Sequence, residues 1–580
     1  MQTSVYEKNR EILIEKNPFL ALSFSFFSHE QRHQNQDIFD TDPCDTAEVV
    51  FVLGIGDGSY YERVRSFLSK DNRRRVFFWE TNLHVLDLFL YSDHAEHILK
   101  DPQVVIRYVS KEEEWVNVIR QALLLCPSDK VNFIPSSRFK MLMPERIEDI
   151  KYTIFTEATL IFSSIKEILY PLPIAKNILT NYRTLPVASY VNQLENSFEG
   201  IPFIICGAGP SLDTCIEDLK NLSSRAVIVA VGSACAALSN KGIIPHICMA
   251  ADPNEEEVYR FKESQVFSIP FFFSPRVHRG VFNVLSSDLG FMSCGIGGDL
   301  ELWMEKNKGL TLPHIGVDLP RESLSITTMA ISLACMMGAS SIILSGVDLA
   351  FIESERYAQG VHISSYPQQS VSNASSHQLI TATSIDGRPV SSLVHWMMEA
   401  SAISQFAKKY SGISFYNTST VGLPIDGVTN KTLNEIFLGS SFICYDIRGK
   451  IHSLMQIHKV YQDNMELNHE KILLESLLKV KDLVTLVLQD LKSCQECLLE
   501  YGTLMSSVKR DIAIMEIKEE LSFDLLFSYM LTALETTILR EYLISDNPSL
   551  NEKSLLLDKE IVRWTHMSKT VQQYLEFLLG

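Results

Sequence analysis

The sequence predicts an α/β protein, with a small α/β domain, then a central doubly wound parallel sheet, then an all-α region. Two sheets are predicted because short runs of β-branched residues alternate with helical patterns in two regions, before residue 150 and again after residue 200. The helical end is predicted because from Lys450 onward the only glycine and proline residues are Gly502, Pro548 and Gly580. A chain of 580 residues is long enough for three or four domains.

Composition narrows the classes of function. The 52 basic and 70 acidic residues give a net charge of −18, which disfavours a general nucleic-acid binder. No apolar stretch approaches the roughly 18 residues of a membrane-spanning helix, and the N-terminus lacks the features of a signal peptide. The eleven cysteines are scattered, and the only Cys-x-x-Cys spacing, Cys494 and Cys497, has no partner pair that would complete a zinc site. These observations predict a soluble, cytoplasmic protein with reduced thiols and no membrane span.

The first α/β domain is predicted over residues 46–150, after an N-terminal segment of residues 1–45. A buried strand, Val49–Leu53, runs into the glycine turn 54–58, and the next strand ends in Glu80. This order imitates the fingerprint of a dinucleotide- or S-adenosylmethionine-binding domain, in which an acidic residue binds the ribose hydroxyls. The alternative, which we favour, is a domain whose glycines serve only the turn.

The second α/β domain is predicted over residues 201–440, after a helical linker of residues 151–200 and before a helical domain of residues 441–580. Its predicted strands are Ile201–Cys206, Ala226–Val231, Ile247–Ala250, Phe271–Phe273 and Ser341–Ser345. Strands that alternate with helices in this way are typical of a parallel sheet with helices on both faces.

The most informative motif is GAGPSLD at residues 207–213, directly after the first of these strands. Its glycines permit a tight turn and the close approach of a ligand, and the following helix N-terminus offers N–H groups to a phosphate. Ser211 is placed to cap that helix or to bond a phosphate oxygen. No Lys-Ser/Thr pair follows, so an ordinary P-loop kinase or ATPase is disfavoured. A plain strand-to-helix turn remains open as the alternative.

Further glycine and aspartate positions follow other predicted strands, namely Gly232, Asp252, Gly346 and Asp348. The carboxyl ends of parallel strands meet at one edge of a sheet, so we expect these residues to lie near the GAGPSLD segment. The sequence therefore predicts a nucleotide site built from strand ends.

Several segments together resemble the central domain of the motility accessory factor (Maf) proteins, bacterial flagellin glycosyltransferases that use nucleotide-activated nonulosonic acids. The segments are GAGPSLD (207–213), VGSACAALSNKGIIPHICMAADP (231–253), SITTMAISLACMMGASSIILSGVDLAF (325–351) and FYNTS (415–419). The domain is similar, more distantly, to a bacterial sialyltransferase family with a GxGPSL loop. The resemblance covers roughly residues 175–440 and implies a Rossmann-like glycosyltransferase domain, and the flanking parts fit the Maf layout.

The resemblance implies a site for a CMP-activated donor sugar, with no obligatory cofactor. Because no Asp-x-Asp pair stands at a strand end of this domain, we expect no metal. The glycine loop would hold the cytidine monophosphate, a serine takes the place of a nucleotide-contacting asparagine, and a helix start would lie beside anionic groups. The residues assigned to the donor site are Gly207, Ala208, Gly209, Pro210, Ser211, Ser233, Asp252, Ser325, Thr327, Thr328, Gly346 and Asp348.

The chain departs from the Maf pattern at the candidate catalytic residues. Maf proteins commonly carry Thr-His-Ala where this chain places Tyr357. As in the related sialyltransferases, a tyrosine hydroxyl is able to donate to the departing phosphate, but with an unperturbed pKa of about 10 it is a poor base at neutral pH. His362 and His377 follow in the same loop, and histidine suits a base. Tyr357 and His377 are therefore the candidate catalytic residues.

The predicted function is transfer of a nonulosonic acid from a CMP-linked donor to a protein Ser/Thr hydroxyl, with flagellin or another helical protein as acceptor. Two alternatives remain open: a 6-hydroxymethyl-dihydropterin pyrophosphokinase using Mg-ATP, and a catalytically degraded Maf-like chaperone or binding protein. The apolar stripe of the C-terminal helices fits either a helical core or a docking surface. A β-branched residue in place of Gly207 or Gly209 is expected to abolish nucleotide binding and to leave the fold intact.

Overall fold

The structure is a computed structural model, and it describes residues 2–24, 37–262, 264, 268–317, 319, 325–353, 355–358, 361, 379–438, 443–460, 468–501, 507–531, 533–534 and 552–580. The chain forms two compact units. The first comprises Met1–Leu169, Leu491–Met505 and Tyr529–Arg563, and the second comprises Tyr170–Asp490, Ser506–Ser528 and Trp564–Gly580.

The first unit carries a four-stranded parallel sheet, with helices before, between and after its strands. The strands are β1 (Val49–Leu53), β2 (Arg75–Glu80), β3 (Val104–Tyr108) and β4 (Val131–Pro135). The helices are α1 (Gln2–Lys16), α2 (Pro18–Ser23), α3 (Tyr61–Leu68), α4 (Leu83–Phe89), α5 (Asp93–Lys100), α6 (Trp115–Leu125), α7 (Ser137–Leu142) and α8 (Pro144–Leu169). The strand order is β3-β2-β1-β4, so the chain reverses direction across the sheet between β1 and β4. β1 and β2 are buried along their whole length, as expected for strands covered on both faces.

The second unit carries a nine-stranded sheet in which every neighbouring pair is parallel. Strands β5 to β15 are Ala188–Tyr190, Phe203–Cys206, Val227–Val231, Ile247–Ala250, Phe271–Phe273, Leu289–Phe291, Ser341–Ser345, Leu379–Thr383, Pro389–Leu393, Ser414–Asn417 and Thr429–Asn430. The order is β15-β14-β11-β6-β7-β8-β9-β10-β5, and β12 and β13 form a separate antiparallel pair. The chain runs from β6 outward to β10 and then returns to the other side of β6, which confirms the doubly wound prediction.

The helices of the second unit before residue 460 are α9 (Leu172–Tyr182), α10 (Leu212–Lys220), α11 (Ala234–Asn240), α12 (Glu256–Lys262), α13 (Gly298–Asn307), α14 (Ile326–Met336), α15 (Val394–Lys409), α16 (Leu433–Phe437) and α17 (Ile447–Ile457). The core of this unit forms where strand side chains meet α14 and α15. Ile205, Val229 and Leu344 from the sheet share it with Ile331 of α14 and Phe406 of α15. This packing fixes the positions of the strand ends.

The C-terminal region is helical, with α18 (Asn468–Tyr501), α19 (Val508–Glu519), α20 (Leu521–Leu526) and α21 (Glu552–Leu579). The predicted apolar stripe of α18 is a buried face, because Leu473, Leu477, Val480, Val484 and Val487 are all fully buried. The prediction of an all-α region after the second sheet is confirmed.

The strongest strand predictions agree with the structure. β8, β9 and β11 have the bounds that their apolar runs predict, and β6 and β7 begin one or two residues later. The nine-stranded sheet also includes β5, which lies within the segment predicted as a helical linker. Within the described residues no single helix is long and apolar enough to cross a membrane, although the bent pair Pro144–Leu169 and Leu172–Val187 meets the length and composition criteria together.

Glu301 of α13 is a fully buried carboxylate, and it makes stability depend on pH. It accepts N–H groups of Cys294 and Gly295 at 3.3 and 2.9 Å, and also that of Gly297. Burial, together with the nearby Glu305, raises its pKa to about 7. The pKa of a glutamate in an unfolded chain is about 4.3. Between this pH and about 7 the folded state therefore holds a proton that the unfolded state has lost. This contribution to stability is present at low pH and is lost as the pH rises through about 7.

We therefore expect Glu301→Gln to remove a downward contribution to the urea midpoint between pH 5 and pH 7. The buried His246 and His395, whose pKa values burial lowers to about 4, act in the opposite direction below about pH 6.5 and are unchanged in this variant. Glu257 of α12, whose pKa burial also raises to about 7, acts in the same window and accounts for a remaining slope. The exposed Glu217→Gln serves as control and should leave the profile unchanged. An unaltered slope in Glu301→Gln would show that Glu301 is ionised throughout this range.

Candidate functional site

The loops after β6 and β11 lie side by side where the sheet reverses direction. The N–H of Gly207 donates to the carbonyl of Ser345 at 2.8 Å, and the N–H of Gly209 donates to the carbonyl of Gly346 at 2.8 Å. In open α/β sheets, ligands bind in the crevice outside the carboxyl ends of the strands at this switch point. The predicted convergence of the two glycine segments is therefore present in the structure.

The glycines of these loops are required by the approach of one loop to the other. A Cβ added to Gly207 would lie 2.6 Å from the carbonyl oxygen of Gly346, and one added to Gly209 would collide with the Asp348 carboxylate. Gly346 has a φ of +70°, and a Cβ there would collide with the carbonyl of Gly207. A substitution here displaces the neighbouring loop from the first atom added, so we expect it to cost stability as well as nucleotide binding.

Asp348 holds three loops together. Its carboxylate accepts the N–H of Ser211 at 2.9 Å and the hydroxyl of Ser419, in the loop after β14, at 2.5 Å. The residue is 3% exposed, and burial raises the pKa of its carboxyl while these hydrogen bonds oppose the rise. The N–H groups of Gly207, Gly209 and Ser211 thus serve the loop contacts rather than a phosphate, and Asp348 positions the site.

The segment that contains Tyr357 is joined to the glycine loop by a backbone hydrogen bond. The N–H of the next residue, Ala358, donates to the carbonyl of Ala208 at 2.8 Å. Tyr357 is half-buried. The guanidinium of Arg356 lies 5.1 Å from the centre of the Tyr357 ring and 5.4 Å from the centre of the Trp396 ring. Ala208, Gly209 and Pro210 are also half-buried. His377 and His362, the other candidates from this loop, lie outside the described residues.

The next loop along the sheet, after β7, contains Gly232 and Ser233. Gly232 has a φ of +48°, and Ser233 is half-buried at the start of α11. A Cβ on Gly232 would lie 3.9 Å from Ile326, the first residue of α14. The predicted Ser233 position and the start of α14 are therefore neighbours.

The start of α14 is closed by its own side chains. Ser325 and Thr328 form a capping box in which each side chain bonds the other's backbone N–H, and Thr328 is fully buried. The hydroxyl of Ser325 also donates to the buried carboxylate of Glu399 on α15 at 2.7 Å, and the Thr327 hydroxyl bonds the same group. The helix start that was expected to face donor anions already has a carboxylate beside it.

Asp252 stands at the end of β8 in a group of charged side chains. Arg260 of α12 donates to its carboxylate at 3.1 Å and to that of Glu257 at 2.5 Å. Glu257 is 1% exposed. Although burial alone would lower the pKa of Arg260, these carboxylates and Tyr357 hold it above its usual value. Arg260 thus ties the loop after β8 to α12.

Two asparagines of α9 fasten the neighbouring loops, and sequence reasoning missed them. Asn177 donates to the carbonyls of Pro253 and Arg276, and Asn181 donates to those of Pro275 and Val277, at 2.7 to 3.2 Å. Both asparagines are fully buried. Their spacing of four residues within one helix was the available signal, because it places both amides on one face.

Metal ligation was not expected. Within the described residues, no group of three or more His, Cys, Asp or Glu side chains is arranged to hold a metal ion.

In the first unit, side chains of the protein itself occupy the place where a dinucleotide-binding domain would hold its ligand. A Cβ on Gly54 would lie 2.8 Å from an Asp37 carboxylate oxygen, and one on Gly56 would lie 3.0 Å from the Asp37 backbone nitrogen. Arg138 donates to Asp37 at 2.8 and 3.0 Å and to Glu80 at 2.6 Å. Glu80, the acidic residue that would bind ribose hydroxyls, is fully buried in this ion pair. The geometry favours the structural interpretation of these glycines.

We expect calorimetric titration of the full chain with S-adenosylmethionine or NAD to give no binding heat, because Asp37 and Arg138 occupy the crevice between β1 and β4. Micromolar binding that is lost in the Glu80→Gln variant would show instead that the fingerprint is functional.

Comparison with known proteins finds one family model that matches part of the second unit. Residues 176–354, about a third of the chain, match the family described as MptE-like, 6-hydroxymethylpterin diphosphokinase MptE-like. This segment contains the glycine loop, Ser233, Asp252 and Asp348, and it ends before Tyr357. No curated protein matches the chain. Among solved structures, that of MAf glycosyltransferase from Magnetospirillum magneticum AMB-1 is similar over 100% of this chain and 96% of that chain, with 14% sequence identity and a TM-score of 0.44.

Proposed function

We propose that this protein is a cytoplasmic glycosyltransferase that moves a nonulosonic acid from a CMP-activated donor to a Ser/Thr hydroxyl of a protein such as flagellin. The observation that carries the proposal is the joined pair of loops 207–211 and 346–348 at the switch point of the sheet. The sequence resemblance to Maf proteins supports the proposal, because the segments of this chain that carry the resemblance form the loops at this edge of the sheet. No resident cofactor and no metal are part of the proposal.

In this proposal the donor lies at the carboxyl ends of β6, β7 and β8, under Tyr357. The Tyr357 hydroxyl donates to the phosphate as it leaves the anomeric carbon. Arg356, whose guanidinium lies 5.1 Å from the centre of the Tyr357 ring, supplies positive charge there, in a chain whose net charge is −18. Donors that are already in place when charge develops on the leaving group are the largest source of catalysis for such a step.

A thermal-shift comparison of nucleotides tests this proposal. A ligand present at 100 times its dissociation constant stabilises a protein by about 2.7 kcal/mol, so CMP should raise the melting temperature measurably. A response to ATP with magnesium but not to CMP would contradict the proposal. The absence of any nucleotide response would favour the chaperone-like alternative.

The family match favours a second candidate, a diphosphokinase that transfers a diphosphate from Mg-ATP to a hydroxymethylpterin. The same comparison separates it from the glycosyltransferase, since the two differ in the nucleotide base and in the need for magnesium.

Loss of the Tyr357 hydroxyl should slow the reaction without weakening donor binding. Because the hydrogen bond strengthens mainly in the transition state, we expect Tyr357→Phe to lower kcat by about 100-fold to 1,000-fold. CMP release from the donor measures this. Tyr416→Phe is a matched control, since Tyr416 is also half-buried with a cation, Lys431, over its ring. Equal kcat in Tyr357→Phe and the wild type would remove the hydroxyl from the mechanism.

A further inference from the structure

Glycosyl transfer to a hydroxyl requires a group that accepts the hydroxyl proton. In the described loops, two aspartates follow strands directly at the site edge, Asp348 after β11 and Asp252 after β8. Asp348 is 3% exposed, and its two carboxylate oxygens are bonded to Ser211 and Ser419. The side chain of Asp252, by contrast, is 30% exposed. Asp252 is therefore the carboxylate that a substrate hydroxyl is able to reach.

The Asp252 carboxylate is held in one orientation. One oxygen accepts the backbone N–H of Asn254 at 3.0 Å and its side-chain amide at 2.8 Å, and the other accepts Arg260 at 3.1 Å. The backbone carbonyl of Asp252 accepts the N–H of His278 at 3.0 Å. The carbonyl of Pro253 accepts a hydrogen bond from the buried side-chain amide of Asn177 at 3.0 Å. A catalytic group fixed by such a surrounding shell loses little entropy when the substrate arrives.

Asp252 lies at the same edge of the sheet as the proposed leaving-group site. β8, which ends just before Asp252, is separated from β6 only by β7, and the three strands are parallel, so the loops that follow them border one crevice. Arg260 bonds both Asp252 and Glu257. The guanidinium also offsets the repulsion between the Asp252 carboxylate and a donor phosphate. The carboxylate and the Tyr357 hydroxyl are thus the proton acceptor and the proton donor of one crevice.

We propose that Asp252 is the general base of the transfer reaction, and this rests on the proposed function. The acceptor hydroxyl oxygen attacks the anomeric carbon, and the new carbon–oxygen bond forms as the bond to the CMP phosphate breaks. The electron pair of the broken bond leaves on the phosphate oxygen, and the hydroxyl proton passes to the Asp252 carboxylate. A carboxylate serves this purpose because the attacking hydroxyl becomes strongly acidic as the new bond forms, as in inverting glycosidases.

The test uses the full chain with CMP-N-acetylneuraminic acid as donor and water as acceptor, and it measures CMP release and CMP affinity. We expect Asp252→Asn to bind CMP within threefold of the wild type and to release it about 100-fold to 10,000-fold more slowly. Asp252→Ala should recover activity when formate is added, because a small carboxylate then fills the vacated position. A residue with only a structural role would show no such recovery.

Asp490→Asn is a matched control, because Asp490 also pairs with an arginine, Arg510, at similar exposure. It should release CMP as fast as the wild type. If the wild type is active and Asp252→Asn releases CMP within threefold of it, Asp252 is not the base and the proposal falls alone. A wild type that neither binds CMP nor releases it overturns the proposed function and this proposal with it.

Discussion

Replacing Gly209 by alanine should abolish CMP binding and destabilise the second unit. The added Cβ would meet the Asp348 carboxylate and lie 2.8 Å from the carbonyl of Gly346, and neither is a flexible chain end. The loop 207–211 must then separate from 346–348, which moves Ala208 and the Tyr357 segment bonded to it. Overpacking of this kind costs about 1–3 kcal/mol. Calorimetric titration with CMP and a melting curve measure the two effects.

Gly412→Ala separates this effect from the general cost of replacing a glycine, since a Cβ at Gly412 would meet no atom within 4 Å. That control should bind CMP and melt as the wild type does. A Gly209→Ala variant with wild-type CMP affinity would mean that the loop is only a structural turn.

Replacing Arg138 by methionine should be the most destabilising change in the first unit. Arg138 is 13% exposed and pairs with Asp37 and Glu80, whose side chains are 1% and 0% exposed. Without the guanidinium, two buried carboxylates face each other with no cation between them. Removing one partner of a buried ion pair costs about 3–5 kcal/mol. Urea unfolding of the full chain, read at the earliest transition, measures the loss.

The control for this experiment is Lys70→Met, because Lys70 pairs with Asp45 at the surface and exposed pairs add little to stability. It should leave the transition where it is in the wild type. If the free energy of unfolding of Arg138→Met is within about 1 kcal/mol of the wild-type value, this ion pair does not hold the crevice between β1 and β4 closed.

The central strands were predictable because their physical signal is local. β8, β9 and β11 are short apolar runs bounded by glycine, proline or polar residues, so their ends can be read from composition alone. β5 and β15 were missed because they are edge strands of only three and two residues, and β10 and β14 were missed although they lie inside the sheet. Their pairing depends on the neighbouring strand, which the local sequence does not encode.

The site was predictable in position but not in the direction of its side chains. The glycines after β6 and β11 converge because strands of one parallel sheet end at one edge. Whether Asp348 faces a ligand or the neighbouring loop depends on packing, and the structure turns it inward. The pairing of Glu257 with Arg260 likewise depends on burial that a Glu-x-x-Arg spacing does not reveal.

Hydrogen exchange of the full chain with and without CMP tests the central claim most directly. In the proposed complex the nucleotide lies at the carboxyl ends of β6, β7 and β8, beside the loop that follows β11. CMP should therefore slow exchange in peptides covering residues 206–213, 232–234, 250–256 and 345–358, and leave residues 54–60 and 80–82 unchanged. Protection confined to the first unit, or bound CMP without protection at the loop 207–211, would show that the nucleotide does not bind at these strand ends.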